Sequence, residues 1–402
     1  MKIGIVSQWY PPEPPNIPAD LAAELTARGH TVRVLTGFPN YPGGALYEGY
    51  RQRWSTVESH NGVTVRRVPL YTSHDSSGLK RAANYLSFAA TSAVAATTFL
   101  NGADAVYVYL TPATAFAAPA LLKALHGIPS VIHVQDVWPD SVTASPLAPR
   151  GLAGRAIHRA LTAATNQIYR TASAIAVIAP SMRDLLVARG ARPEKIRVVL
   201  NWANESLFRP VTANADIGRR RRCTFMYAGA MGPFQNVGDS VCAAAAVSDV
   251  ADLVLVGSGI DEDAARAMAA DLKADNVRFL GRRPAEEMAA LYAAADFQLV
   301  TLRDLPMFRG TIPSKLQAAL ACGSPVLVSV PGDCAELVER EGVGLACPPE
   351  DWRALADRMR QAAKLPPAER AEMSRRAVET YRTRMSLKAG VDAIEEMLEA
   401  VS

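Results

Sequence analysis

The sequence predicts an α/β protein made of two parallel-sheet, Rossmann-like domains facing a cleft, and three observations carry that expectation. The chain has 402 residues, too long for one ordinary core and suited to two domains of about 200 residues each. Short β-type runs alternate with helical runs through its first half. The same alternation restarts after an irregular polar stretch at 201–222.

The first strand is IGIVS at 3–7. A loop rich in proline follows, with Pro11, Pro12, Pro14, Pro15 and Pro18. Asp20 to Arg28 reads as a helix stopped by Gly29. Strands are expected at 31–35 and 63–68, a helix at 79–100 and a strand at 104–109. A helix at 113–125 leads to the strand SVIHVQ at 130–135. A helix at 151–171, a strand at 174–178, a helix from Ser181 to Ala188 and a strand at 196–199 complete this half. Apolar strands joined by helices predict a parallel sheet covered on both faces.

Asn201 to Arg222 is the linker candidate. It ends in four consecutive arginines, Arg219 to Arg222, read as a solvated run. The second domain takes TFMYAG at 224–229, DLVLVG at 252–257, VRFL at 277–280, DFQLV at 296–300 and PVLVS at 325–329 as strands. A helix at 366–381 precedes an amphipathic final helix at 387–400. That last helix is expected to rejoin the first domain, giving domains of 1–200 with 387–402, and 201–386.

Apolar residues make up 49% and charged residues 20%, the balance of a folded globular protein. The net charge of +4 is unevenly spread: residues 1–200 hold 19 Lys/Arg and 11 Asp/Glu, and the remainder 24 and 28. The basic half is either chance spread over a large surface or the mark of an anionic partner such as membrane lipid, a phosphate-bearing acceptor or nucleic acid. Five cysteines without a CxxC pair predict free thiols in a reducing cytoplasm and no zinc site. The opening MKIGIVSQWY has no basic leader or cleavage site, so a cytoplasmic protein is expected. The longest apolar tract, Ala82 to Leu100, is diluted by Asn84, Ser87, Thr91, Ser92, Thr97 and Thr98 and reads as a buried or interfacial helix.

In open parallel sheets, ligands bind beyond the carboxyl ends of the strands, so the loops there carry the candidates. The richest is RDLPMFRGTIPSKL at 303–316. Arg303, Arg309 and Lys315 surround a predicted helix start at Ile312-Pro313-Ser314, in a helix running through Leu320 to a stop at Gly323. Free N–H groups, a helix dipole and fixed cations make an anion site, and diphosphate is the guest that fits; the alternative is that one or more of the three is a surface cation. Thr311 and Ser314 flank the helix start, and Gln235 offers an uncharged hydrogen bond.

Asp261-Glu262-Asp263 has a metal-binding form but opens a helix, where acidic residues are ordinary dipole partners, so no metal and no cofactor are expected. Gly257 and Gly259, just before it, would let the loop pass close to a nucleotide base. Asp136 follows the strand VIHVQ. It either orients or deprotonates an acceptor hydroxyl, or caps the turn before Pro139. His133 points to the other side by strand alternation and reads as structural. No GxGxxG follows the first strand, which argues against a dehydrogenase.

Taken together, QWYPPEPPN at 8–16, ARGHTVRVLTGFPNYPGG at 27–44, HVQDVWPDS at 133–141, VVLNWANESLFRP at 198–210, YAGAMGPFQ at 227–235, VGSGIDED at 256–263 and FRGTIPSK at 308–315 resemble bacterial glycosyltransferases of family four. The resemblance runs over nearly the whole chain. It is closest to the branch that builds cell-envelope polysaccharides and transfers sugars such as N-acetylfucosamine. It implies the two-Rossmann GT-B fold, with the acceptor on the first domain and a nucleotide-diphosphate sugar, UDP-linked, on the second. It also implies retaining, metal-independent transfer to a lipid-linked saccharide, with no nucleic-acid partner. Arg51, Arg53, Arg66, Arg67, Lys80 and Arg81 give the first domain a basic cluster, the last two directly before the apolar tract; the tract either docks with them on an anionic inner membrane face or packs on the sheet.

Gly332, Asp333 and Glu336 of GDCAEL are matched to the sugar, and Pro15 and Asn16 to the acceptor loop. The chain departs from the family at three places. Pro14, Pro15 and Asn16 stand where relatives have glycines. Gly310 and Ala318 occupy the positions of two glutamates, the second a ribose ligand, so Gln317 or Glu336 is the candidate nucleotide contact. YAGAMGPFQ lacks the basic residue that relatives carry there. A transferase acting on a soluble natural product is one alternative, and a non-catalytic partner protein with a degraded donor site is another.

Overall fold

The computed structural model describes residues 1–14, 16–54, 56–73, 77–139, 151–212, 217 and 222–402, without the side chains of 152 and 153. It splits into two compact units, Met1–Val199 with Gly390–Ser402, and Leu200–Ala389. Arg219 to Arg221 of the arginine run lie outside the described residues, as does Pro15.

The first unit is built on strands β1 (Lys2–Val6), β2 (Thr31–Gly37), β3 (Val57–His60), β4 (Val63–Val68), β5 (Ala105–Leu110), β6 (Ser130–Val134), β7 (Ala174–Val177) and β8 (Ile196–Val198). They form one sheet in the order β3-β4-β2-β1-β5-β6-β7-β8. β5 and β6 are buried along their whole length, as expected of strands with helices on both faces. β1 pairs in parallel with both β2 and β5, so strand order reverses there and the loops after β1 and β5 open at a switch point.

Two details differ from the sequence reading. β3 was not expected. It pairs antiparallel with β4 across Asn61-Gly62, whose φ angles of 50° and 80° are those of a tight hairpin turn. Its residues alternate between exposed and half-buried, so its signal lay in the turn and not in an apolar run. The first helix, Ile17–Ala27, begins before Asp20 because a proline in the first turn gives up only an N–H that has no helical partner.

Helix Gly78–Phe99 buries Asn84, Phe88, Ser92, Ala95 and Ala96. It leaves Leu79, Leu86 and Val94 outward, at 85%, 61% and 58% exposure. Among the described residues no helix is long and apolar enough to cross a membrane.

The second unit holds β9 (Cys223–Ala228), β10 (Ala251–Val256), β11 (Val277–Gly281), β12 (Phe297–Thr301), β13 (Val326–Ser329) and β14 (Gly344–Cys347), in the order β11-β10-β9-β12-β13-β14. Its pairings are parallel. Phe225 and Phe297 stack at 5.5 Å in its core. β14, also unexpected, is four residues long. A Cβ on its Gly344 would lie 1.9 Å from the Val326 carbonyl oxygen, so the strand can pair only through a glycine that weakens its sequence signal. Here β9 lies between β10 and β12, which makes the loops after β9 and β12 the switch point.

The chain ends in helix Leu387–Glu399, whose Val391, Ile394 and Leu398 are fully buried. Arg28 pairs with Glu395 at 2.5 Å and Asp392 at 2.8 Å, and His30 Nε2 lies 2.6 Å from Glu395. The bonds from His30 and Arg28 hold the Glu395 carboxyl below its usual range against the opposing effect of burial.

Candidate functional site

The switch point of the second unit gathers most of the candidate diphosphate residues. Loop 229–236 leaves β9, and loop 302–313 leaves β12. Thr301 Oγ1 donates to the Gln235 carbonyl at 2.6 Å, and the Arg303 N–H donates to the Phe234 carbonyl at 3.0 Å. The Phe234 and Phe308 rings meet edge to face at 5.8 Å. The two loops are thus one structure.

Helix Ser314–Ala321 starts behind Pro313, and no side chain caps its first amides. Lys315 in its first turn points back under loop 229–236. Its Nζ donates to the Tyr227 hydroxyl at 2.8 Å and to Gln235 Oε1, and lies 4.4 Å from the centroid of the Tyr227 ring. A Cβ on Gly229 would lie 2.6 Å from Lys315 Cε, so only glycine leaves room for this path. All these partners are neutral, and among the described residues no carboxylate pairs with Lys315. Burial holds its pKa down at about 8. A half-buried cation with neutral partners beside an open helix start has the chemistry to receive an anion.

The other predicted residues sit as follows. Arg303 is exposed and pairs with Glu350 at 3.1 Å, and Glu350 also accepts the Asp304 N–H at 2.8 Å. Arg309 is exposed, and its side chain has no ion pair among the described residues. Its carbonyl accepts the Asp333 N–H at 2.9 Å. A Cβ on Gly332, where φ is +70°, would lie 2.2 Å from that same oxygen. The two segments matched to diphosphate and sugar are therefore in backbone contact. Thr311 Oγ1 donates to the Met307 carbonyl at 3.2 Å, while Ser314 is exposed at the helix start. Gln317 is 5% exposed with no side-chain hydrogen bond among the described residues. Ala318 is also buried, and Glu336 is exposed in the first turn of helix Asp333–Glu341.

Gly257 and Gly259 have a reason that needs no nucleotide. A Cβ on Gly257 would lie 2.0 Å from the Gly229 carbonyl oxygen, and one on Gly259 would lie 2.2 Å from that of Met231. The loops after β10 and β9 touch through them. Asp261 precedes helix Glu262–Asp271, and Glu262 pairs with Arg266 at 2.8 Å one turn on.

In the first unit, Asp136 is exposed just beyond β6, and its Oδ2 accepts from Thr111 Oγ1 at 2.7 Å. Thr111 lies just beyond β5, so the two strand ends present one hydrogen-bonded pair. His133 is fully buried, and its Nδ1 is 2.8 Å from the Tyr107 hydroxyl. Burial holds its pKa near 4, so it stays neutral. Asn16 is exposed at the start of helix Ile17–Ala27, and its carbonyl accepts the Ala19 and Asp20 amides, each at 2.9 Å.

Sequence reasoning passed over Glu13. It is 2% exposed, and its carboxylate accepts the Tyr10, Asn40 and Tyr41 amides at 3.2, 2.9 and 2.8 Å. It ties the loop after β1 to the loop after β2. Arg67, fully buried, binds the Pro11 and Gly37 carbonyls from beneath. A lone Glu among prolines carries no pattern that announces such an anchor.

A model described as a glycosyl transferase 4-like domain matches residues 17–202, and one described as glycosyl transferases group 1 matches residues 219–380. WcaI of Escherichia coli strain K12, a glycosyl transferase assigned provisionally to colanic acid biosynthesis, is 28% identical over 387 residues, covering 91% of this chain and 93% of its own. WbjE of Pseudomonas aeruginosa, described as a probable glycosyltransferase, is 28% identical over 63% of this chain and 64% of its own. Among solved structures, sucrose-phosphate synthase from Thermosynechococcus elongatus superposes with a TM-score of 0.73 at 19% identity, over 100% of this chain and 98% of its own. HepE of Anabaena, solved in complex with UDP and glucose, gives 0.68 at 19% identity over the whole of both chains. These likenesses show the GT-B fold.

Proposed function

Because the chain belongs to the glycosyltransferases that join a 4-like domain to a group 1 domain, we propose that it moves a sugar from a UDP-sugar to a lipid-linked saccharide in envelope polysaccharide synthesis. The observation that carries this reading is Lys315, a half-buried ammonium held by neutral groups at an uncapped helix start. Breaking a sugar–diphosphate bond puts negative charge on the leaving group, and a fixed cation with open amides meets it without reorganising. Arg309, exposed on the loop after β12, adds a second cation in this reading. The sugar–phosphate bond breaks as the acceptor oxygen attacks the same face, so configuration is retained. The acceptor proton passes to the departing phosphate, and Asp136 orients the acceptor hydroxyl. The relative WcaI supports the class of product, WbjE supports the transferase class, and HepE supports the nucleotide.

The reading is tested by slow hydrolysis of a panel of nucleotide sugars, with and without EDTA. A UDP-sugar is expected to be turned over first, at a rate EDTA leaves almost untouched. Asp261→Asn with Asp263→Asn is expected to behave like wild type. Loss of turnover on chelation, restored by Mg²⁺ or Mn²⁺, would overturn the metal-free step. If no nucleotide binds or turns over, a non-catalytic partner protein becomes the reading.

Peripheral contact with anionic lipid belongs to the same proposal. Leu79, Leu86 and Val94 lie on one face of helix Gly78–Phe99, exposed on the unit that carries the excess of basic residues. Each cation near an anionic surface adds about 1 kcal/mol. Co-sedimentation with phosphatidylglycerol vesicles is expected, weakening as salt rises and in Leu86→Glu/Val94→Glu. A protein that ignores these vesicles at low salt would make a soluble acceptor the better assignment.

A further inference from the structure

A second constellation sits at the carboxyl edge of the first unit's sheet. Aromatic side chains from separate elements meet there: Tyr85 of helix Gly78–Phe99 and Tyr109 at the end of β5 both feel the Asp136 charge and neighbour Tyr41 of the loop after β2, and Trp138, two residues after Asp136, packs on Tyr85. The Tyr85 and Trp138 rings are 5.9 Å apart, and Trp9 lies 4.9 Å from Tyr41. The Asp136 charge acts on both Tyr85 and Tyr109, adding to burial in keeping these phenols protonated as donors.

Arg81, one turn before Tyr85, acts on the same hydroxyl in the opposite sense. Its Nε is buried without a hydrogen-bond partner, and Arg81 has no ion pair among the described residues. Arg81 as a whole is half-buried, so its shielded N–H lies beside groups a ligand can reach, and Arg is built for planar oxyanions. Aromatic faces suit the apolar faces of a sugar ring, and a carboxylate with phenol donors suits its hydroxyls.

We propose that this constellation is the acceptor subsite and that it takes a sugar bearing a phosphate ester, with the phosphate on Arg81 and the sugar ring among Tyr41, Tyr85 and Trp138. The proposal rests on the reading of Asp136 as the acceptor-orienting residue. The same chemistry is offered by a lipid diphosphate sugar and by a free sugar phosphate.

Calorimetry on the full chain tests it, with UDP saturating so that Lys315 is occupied. The probes are farnesyl diphospho-N-acetylglucosamine, glucose 1-phosphate and methyl glucoside. At least one phosphorylated probe is expected to bind about tenfold or more tightly than methyl glucoside. Arg81→Gln is expected to remove that advantage and leave UDP affinity unchanged. Tyr85→Ala is expected to weaken every sugar that binds. Binding of the farnesyl probe alone assigns the lipid-linked source, and binding of glucose 1-phosphate alone assigns the soluble one. Equal binding of methyl glucoside, wild-type affinity in Arg81→Gln, or no binding by any probe overturns the subsite. Failure of wild type to bind UDP would sink the donor reading instead. The probes are then titrated into the free protein, where the same three outcomes decide the subsite.

Discussion

Lys315→Met is expected to slow sugar transfer by about 10²–10³-fold, the cost of removing one preorganised group from a developing oxyanion. UDP affinity should fall about tenfold or more, since one charge-assisted contact in an enclosed site is lost. The same change should raise the thermal midpoint of the free protein by roughly 2–4 °C, because a partly desolvated charge with only neutral partners costs stability in the free protein. The pH dependence has a definite sign. Burial lowers the Lys315 pKa from 10.5 to about 8, and a bound diphosphate favours the charged form. UDP affinity is therefore level below pH 8 and declines above it, while the free protein gains stability from this residue between about pH 8 and 10.5 as the unfolded chain alone keeps the proton. Titration calorimetry and a melting series across that range check both. Unchanged UDP affinity and turnover in Lys315→Met, with the fold intact, would remove the assignment.

Asp136→Asn should lower kcat by about 10²–10⁴-fold and leave UDP affinity as it was, because it addresses the acceptor and not the donor. Asparagine keeps an oxygen for the Thr111 hydroxyl, which now bonds Asp136 Oδ2 at 2.7 Å, so the strand ends stay together and only the charge goes. Steady-state rates with a saturating UDP-sugar give the answer. Turnover within about twofold of wild type would return Asp136 to the role of a turn residue.

Strands with apolar runs, such as β5 and β9, were legible from their residues because burial on both faces leaves an unbroken signature. β3 and β14 were not, since an exposed edge and a glycine forced by backbone contact carry the opposite composition. In the donor loops the cations were legible as types but not as roles. Arg303, Arg309 and Lys315 look alike in sequence, yet a distant Glu350 pairs with the first and a glycine at 229 makes room for the third. The Glu13 anchor and the aromatic set around Asp136 depend on loops far apart in the chain, and no local pattern records such a meeting.

The first unit is discontinuous: its last part, Gly390–Ser402, is synthesised after the whole of the second unit. As the chain leaves the ribosome, the first sheet can form early but lacks the helix that supplies Val391, Ile394 and Leu398 and the Glu395 partner of Arg28 and His30. The second unit needs nothing from that helix's final residues to close its own core. The part made first is therefore finished last. Until then it presents an uncovered apolar surface to chaperones, and a ribosome stalled short of residue 390 leaves a nascent protein with one complete unit and one open one.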